Sequence, residues 1–270
     1  AFLDAARLVI GYTDEGSNIS KVPQHSRNFH ALIGESIQSL DSNNPDDIYL
    51  IAKHFFAAGS LFSAKAYESN LQAAKLACKF HQFEDSLDLL EKAKISASSS
   101  SNSVLDVDVQ IAVVHCEKSH IYGKDQSEAA DFGLEILNEV SLLIFDELAI
   151  KVTRALYEAR RYDEAMEMTE KLKSVESLST QTEGFHFHGL SISPQERDKS
   201  KERLSLLRQA YDLASQSNIS SLEAMVANSL AGQLSGGNDS DRDEAKELYF
   251  KSLELKENQE IKDVKGIAMR

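Results

Sequence analysis

Apolar residues recur at three- and four-residue steps along most of this chain, the spacing that lines one face of an α-helix. Phe29, Leu32, Ile33, Ile37 and Leu40 form such a stripe over a helix expected from Ser26 to Leu40. Pro45 closes the following loop and suits the first turn of a helix running Asp46 to Ala58, ended by Gly59. Ser60 is placed to cap a long helix to about Lys79. The next helix spans Phe83 to Ser96, and the polar run from Ser96 to Ser103 reads as a loop. Further helices are expected over Val104 to Tyr122, Asp125 to Val140, Leu142 to Arg160 and Tyr162 to Val175. Residues 176–193 carry Ser, Thr, Gly and two His without a clean period, and read as an irregular inter-helix insertion with at most one helical turn. A charged helix from Pro194 to Ser217 follows, then Ile219 to Leu234, Asp239 to Asn258, and a last one from Ile261 onward.

Within this series one local pattern returns: a short turn, a small residue, a large residue four later, and a small or apolar one three after that. It is clearest at Ala245, Tyr249 and Ser252, and at Ala165, Thr169 and Leu172. Ala64, Ser86, Ala129, Ala165 and Ala245 are candidates for the small residue that lets two helices approach. A two-helix unit of this kind leaves an apolar face uncovered, so neighbouring units stack and bury it. The expected fold class is all-α, an α-solenoid of antiparallel helix pairs.

Composition agrees. Twelve glycines and three prolines in 270 residues leave few helix breakers, and Trp is absent. The formal net charge of -14 disfavours binding to a phosphate backbone or an anionic membrane. The expected partners are therefore neither nucleic acid nor membrane. No apolar run approaches the ~20 residues of a membrane span, and no signal peptide is visible at residues 1–10. Cys78 and Cys116 lie in apolar helical stretches and read as buried thiols of a reducing, cytoplasmic compartment. The chain begins without Met and stops in mid-pattern, and is expected to be a piece of a longer protein.

Two resemblances attach to these residues. Leu230, Ala231, Leu234, Ala245, Tyr249 and Ser252 resemble the Leu-Gly, Tyr, Ala, Phe and Ala positions of the tetratricopeptide repeat; Val152, Thr153, Leu156, Ala165, Thr169 and Leu172 form a poorer second unit. The spacing of Ser86, Ala129 and Ala165 runs loosely near that repeat's period of about 34 residues. This likeness implies a right-handed superhelix. The second lies in the stretches beginning at Arg27, at Tyr49 and at Ser63, with His54-Phe55-Phe56-Ala57-Ala58-Gly59 as its most specific piece. They are similar to the junction in signal-transducing ATPases of the STAND type, including those linked to cyclase domains, where a helix ending in a His-aromatic motif joins the ATPase to a C-terminal repeat array. That resemblance implies a junction segment over residues 1–45 and a repeat array over 46–270. No Gly-x-x-x-x-Gly-Lys-Ser/Thr loop occurs in the sequence, so this stretch has no phosphate cradle of that kind.

Candidate chemistry is sparse. Cys116 and His120 are four apart on one predicted helix face, but two ligands do not make a metal site, and His115 is out of step. His186 and His188 would need remote carboxylates to hold a metal. Asp46-Asp47, Glu84-Asp85 and Asp241 with Asp243 sit at helix starts, where negative charge favours the positive end of the dipole. Lys199, Lys201, Arg203 and Arg208 alternate with Glu196, Asp198 and Glu202 and read as a salt-bridged solvated face. No catalytic, cofactor or metal residue is assigned. The function expected is a non-catalytic protein–protein interaction scaffold that binds a partner protein or another domain of its own chain. Asn70, Glu117, Arg154 and Asn228 are the expected groove-lining residues, chosen from their helix positions. A free-standing adaptor that docks a helical or extended peptide is the alternative, and an all-α enzyme the third reading.

Overall fold

The structure is a computed structural model, described here for residues 24–40, 44–139, 146–193 and 197–257. Among these residues it contains twelve α-helices and no strand. In chain order they are α1 (Gln24–Gln38), α2 (Pro45–Ala58), α3 (Ser63–Lys79), α4 (Phe83–Ser98), α5 (Val104–Tyr122), α6 (Gln126–Glu139), α7 (Asp146–Glu158), α8 (Tyr162–Lys173), α9 (Leu178–Ser191), α10 (Ser200–Ser217), α11 (Ser220–Leu234) and α12 (Asp239–Glu257). Short 3-10 turns, Ser60–Phe62 and Arg197–Lys199, precede α3 and α10. The chain forms two compact units, Ala1–Val114 and His115–Arg270.

In the first unit each helix packs on its chain neighbour: α1 on α2, α2 on α3, α3 on α4. Phe55, Phe83 and Leu90 are its fully buried large side chains, with Ala52, Ala73, Ala77 and Ala93 between them. The α1–α2 contact is tight because Gly34 has no side chain: a Cβ there would lie 3.2 Å from the Phe55 ring. Ser86 Oγ donates to the Ala74 carbonyl at 2.8 Å, tying α4 to α3. Two sequence readings need correction here. The buried face of α1 is Ser26, His30, Ala31 and Gly34, while Leu32 and Leu40 are exposed. Ala64 is also exposed, and the small residue buried at the α3 contact is Ala66. The α1 stripe is phased on its largest apolar residues, whereas its contact with α2 selects small ones, and on α3 Ala64 is small but lies on the solvent side.

The second unit repeats the neighbour packing through α6–α12, and α7 also meets α9. Its centre holds Leu148, Val152, Leu156 and Leu172, then Leu207, Ala227, Leu230, Ala231, Leu234, Ala245 and Leu248 around α10–α12. The residues of the two repeat-like units are buried, except that Tyr249 is 41% exposed and Leu248 takes the buried place. Ser252 Oγ donates to the Ala224 carbonyl at 2.7 Å, as Ser86 does in the first unit.

Three inter-helix turns are built alike. After α3, α5 and α7 a residue of positive φ stops the helix: His81, Gly123 (with a second, Asp125, before α6) and Arg160. The next amide donates five residues back, from Gln82 to Ala77, Lys124 to Ser119 and Arg161 to Leu156, the bonding of a Schellman stop. The following helix then opens, and its fourth amide comes from Ser86, Ala129 or Ala165, donating to Gln82, Asp125 and Arg161 respectively. Those three are the buried small residues expected from the sequence. Only one of the three stops is a glycine, which is why the sequence marks the others weakly.

The region read as an insertion is the largest departure. Residues 178–191 form α9, capped by Ser177 Oγ accepting from the Thr180 amide. Two glycines mark close contacts of this helix. A Cβ at Gly184 would lie 3.0 Å from the Lys173 amide nitrogen, and one at Gly189 would lie 3.1 Å from Leu207. Here tertiary packing overrides weak propensity. Pro194 and Glu196, at the expected start of the charged helix, lie outside the described residues, as does everything from Ile261 onward.

Candidate functional site

The second unit carries an open groove of about 910 Å³. Its described lining comes from alternate helices: α5, α7, α9 and α11 with their caps, plus Lys256 at the end of α12. None of it comes from α6, α8 or α10. Each helix presents side chains three or four apart, the spacing of one helical face: Glu117 and His120, then Lys151, Arg154 and Glu158, then Glu183 and Phe187, then Met225 and Asn228.

The floor is polar and tightly paired. Glu117 Oε1 forms an ion pair with Lys151 Nζ, and lies 3.9 Å from Arg154 Nη1. Arg154 Nη2 lies 3.9 Å from Glu183 Oε2 on the other side, beyond hydrogen-bond reach, and that oxygen is buried with no hydrogen-bond partner. The guanidinium also sits over the Phe187 ring, 5.9 Å from its centroid. The two carboxyls respond in opposite directions. Burial works against the charge of Glu117, but Lys151, with help from Arg154, holds it below the usual carboxylate range. For Glu183 burial wins over Arg154 and Lys151, and the carboxyl is pushed up.

His186 is 2% exposed at the back of this groove. Its Nε2 meets Ser229 Oγ at 2.8 Å, while Nδ1 is buried with no hydrogen-bond partner. Burial, then the charge of Arg154, brings its pKa down to about 3, so the ring is neutral. Tyr157, Phe187, Ile219, Leu222 and Met225 give the groove apolar walls. At its edge His120 Nδ1 meets Glu158 Oε1 at 2.6 Å, and Asp146 Oδ2 accepts from Thr180 Oγ1 at 3.2 Å.

Of the four residues expected to meet a partner, Glu117, Arg154 and Asn228 lie in this lining. Asn70 does not. It lies in the first unit, fully buried, with Nδ2 donating to the carbonyls of Ala66 and Ala52, so its amide serves α2–α3 packing. Glu183 is absent from the sequence reading, and His186 enters it only as a possible metal ligand, because residues 176–193 read as an irregular insertion. Once α9 is a helix, its step of four from Glu183 to Phe187 places them beside Arg154 and Tyr157.

The remaining sequence candidates have local roles. Cys116 Sγ contacts the Ala129 carbonyl at 3.6 Å, and burial pushes its thiol up to about 12, unlike a metal-bound thiolate. His188 Nδ1 lies 2.8 Å from Thr169 Oγ1, whereas His186 turns to Ser229, so the two histidines diverge. Among the described residues no group of three or more His, Cys, Asp or Glu side chains could hold a metal ion. Cys78 and Cys116 are thiols, and Cys78 is only half-buried, short of the burial expected. Asp46, Asp47, Glu84 and Asp85 occupy first turns. Asn238 and Asp241 form a reciprocal cap of α12, each side chain accepting the other's amide at 3.0 Å. Arg208 makes a two-point pair with Glu244 of α12 at 2.6 and 2.8 Å, in place of the neighbours on its own helix. No helix among the described residues is long and apolar enough to cross a membrane.

No family model matches the chain, and no curated protein matches it. Among solved structures, the crystal structure of BtubC (BKLC) from P. vanneervenii aligns with a TM-score of 0.49 and 14% identity, covering 88% of this chain and 91% of that chain.

Proposed function

We propose that this chain is a non-catalytic protein-interaction scaffold, an α-solenoid of tetratricopeptide-like helix pairs whose groove docks a partner protein or another domain of a larger cytoplasmic signalling ATPase. The observation that carries this reading is the origin of the groove lining. Alternate helices α5, α7, α9 and α11 supply it, while α6, α8 and α10 supply none. Stacked helix pairs produce that alternation, since the first helix of each pair faces inward and the second outward. The right-handed superhelix and the ATPase parentage rest on the residue resemblances alone.

The opposed shifts of Glu117 and Glu183 are also the pattern of an acid–base pair. Lys151, Arg154 and burial account for both without a substrate, and structural ion-pair networks do the same. The scaffold reading therefore takes precedence over the enzyme reading.

The test is site-specific photo-crosslinking in the full-length protein. A photoreactive residue at Asn228, on the exposed wall, is compared with one at exposed Ser215, outside the groove lining. A single defined protein or upstream domain captured at position 228 and not at 215, and lost in Arg154→Glu, is the expected result. Equal capture at both positions overturns the docking role. Turnover of a substrate by the purified chain, abolished by Glu183→Gln, would restore the enzyme.

A further inference from the structure

The geometry points to a cationic occupant for the groove of the second unit: a protein segment that places a Lys or Arg side chain against Glu183, between apolar residues of its own. This inference rests on the docking role proposed above and specifies its partner.

Charge balance is the first argument. The groove lining holds five carboxylates (Glu117, Asp146, Glu147, Glu158 and Glu183) against three Lys or Arg side chains. Two of the three cations already face carboxylates of the lining. Lys151 is bound to Glu117, and Arg154 is shared between Glu117 and Glu183. An incoming acidic segment would meet a lining in which carboxyls outnumber cations, and like charges facing across an interface repel. A basic segment meets the opposite sign.

The second argument is a specific vacancy in hydrogen bonding. Glu183 Oε2 is buried and accepts no hydrogen bond, and Arg154 stops at 3.9 Å. Buried polar atoms in folded proteins are nearly always satisfied, so an unsatisfied carboxylate oxygen in a groove is a site awaiting a donor. His186 Nδ1, also buried and without a hydrogen-bond partner, lies in the same lining. An ammonium or guanidinium group supplies a charge-assisted bond to Glu183. It also relieves the burial penalty that holds this carboxyl up, so binding ionises Glu183 more fully.

The third argument is the wall. Phe187, Leu222 and Met225 stand in the same lining as Glu183, and would contact the aliphatic stem of Lys or Arg and its apolar neighbours. A purely polar basic tail would leave this surface unused.

The experiment measures fluorescein-labelled peptides of about twelve residues by polarisation, in three sets where apolar residues alternate with Lys/Arg, with Asp/Glu or with Ser. The purified chain is used with Glu183→Gln and Asn228→Lys; the second substitution lies on an exposed wall position and adds a cation without disturbing the floor. The Lys/Arg set is expected to bind most tightly, to weaken with added salt, and to lose at least about tenfold in affinity in each variant. Lys/Arg peptides that bind both variants as well as the original place the site elsewhere and overturn the inference. Acidic or neutral peptides that bind more tightly, with the loss still at Asn228→Lys or Glu183→Gln, overturn the cationic occupant while leaving the docking role intact. If no set binds, the docking role falls and this inference falls with it. Concentration-dependent self-association that Asn228→Lys abolishes would assign the groove to a second copy and equally overturn it.

Discussion

His186 Nε2 lies 2.8 Å from Ser229 Oγ, so a helix with poor helical sequence is bonded to the next groove-lining helix along the chain. The bond joins α9 to α11 across the position of α10. Burial, then the charge of Arg154, keeps the ring neutral in the groove.

That relationship predicts acid sensitivity. The unfolded histidine ionises near 6.5, and the folded one near about 3. Between these values the unfolded chain binds a proton that the folded chain refuses. His186 therefore contributes its stability above pH 6.5 and loses it as the pH falls toward 3, by up to about 1.4 kcal/mol per pH unit. His186→Phe should cost about 1 kcal/mol at neutral pH through the lost bond, and should flatten the decline between pH 6.5 and 4. Urea unfolding across that range measures both. His54, brought down to about 4 by burial beside His30 and Lys53, keeps part of the slope in the variant.

Glu183 acts with the opposite sign. Its folded pKa is raised above the ordinary 4.5, so its contribution is present below pH 4.5 and lost as the pH rises through the folded value. Glu183→Gln should be more stable than the original chain at pH 7.5 and lose that advantage at pH 4, as measured by urea midpoints. An unchanged difference across the range would show that Glu183 is not held up.

Gly133 tests the α6–α7 contact. A Cβ there would fall 2.3 Å from Val152 Cγ2. In an open helix Gly→Ala gains up to about 1 kcal/mol, but overpacking a core costs about 1–3 kcal/mol. The clash should win because Val152 is fully buried and has no room to turn. Gly133→Ala is expected to lower the thermal midpoint, and the double variant with Val152→Ala to recover part of it.

Arg160 tests the shared turn. It holds φ 62, a conformation that costs a non-glycine residue about 1–2 kcal/mol. Arg160→Gly should stabilise the chain by about 0.5–1 kcal/mol, with the gain read from chemical denaturation. The same change at His81, φ 59, should act alike.

Cys116 reports on the second unit. Buried and pushed up to about 12, its thiol should resist maleimide at pH 7.5 in the folded chain, while half-buried Cys78 reacts. Mass spectrometry with and without denaturant distinguishes the two.

The helices were legible where apolar residues keep a helical period over several turns, and the expected and observed ends agree to a residue at Ala58, Lys79, Tyr122 and Leu234. The small residues Ser86, Ala129 and Ala165 could be read because the turn preceding each is local. Leu32, Leu40 and Ala64 could not be assigned to the right side, since which stripe is buried depends on what the helix meets. Asn70 was misread for the same reason: a polar residue on a helix looks alike whether it faces a groove or a neighbouring backbone.

The sequence by itself determined the class of structure, because 3.6-residue periodicity, few breakers and helix-start carboxylates are properties of neighbouring residues. Only the tertiary structure decided that residues 178–191 are helical, since Gly184 and Gly189 favour other conformations in isolation and are held in a helix by close contact with Lys173 and Leu207. It also decided which charges meet. Glu117, Arg154 and Glu183 come from three separate helices, and an ion pair depends on distance in space, to which spacing along the chain is blind.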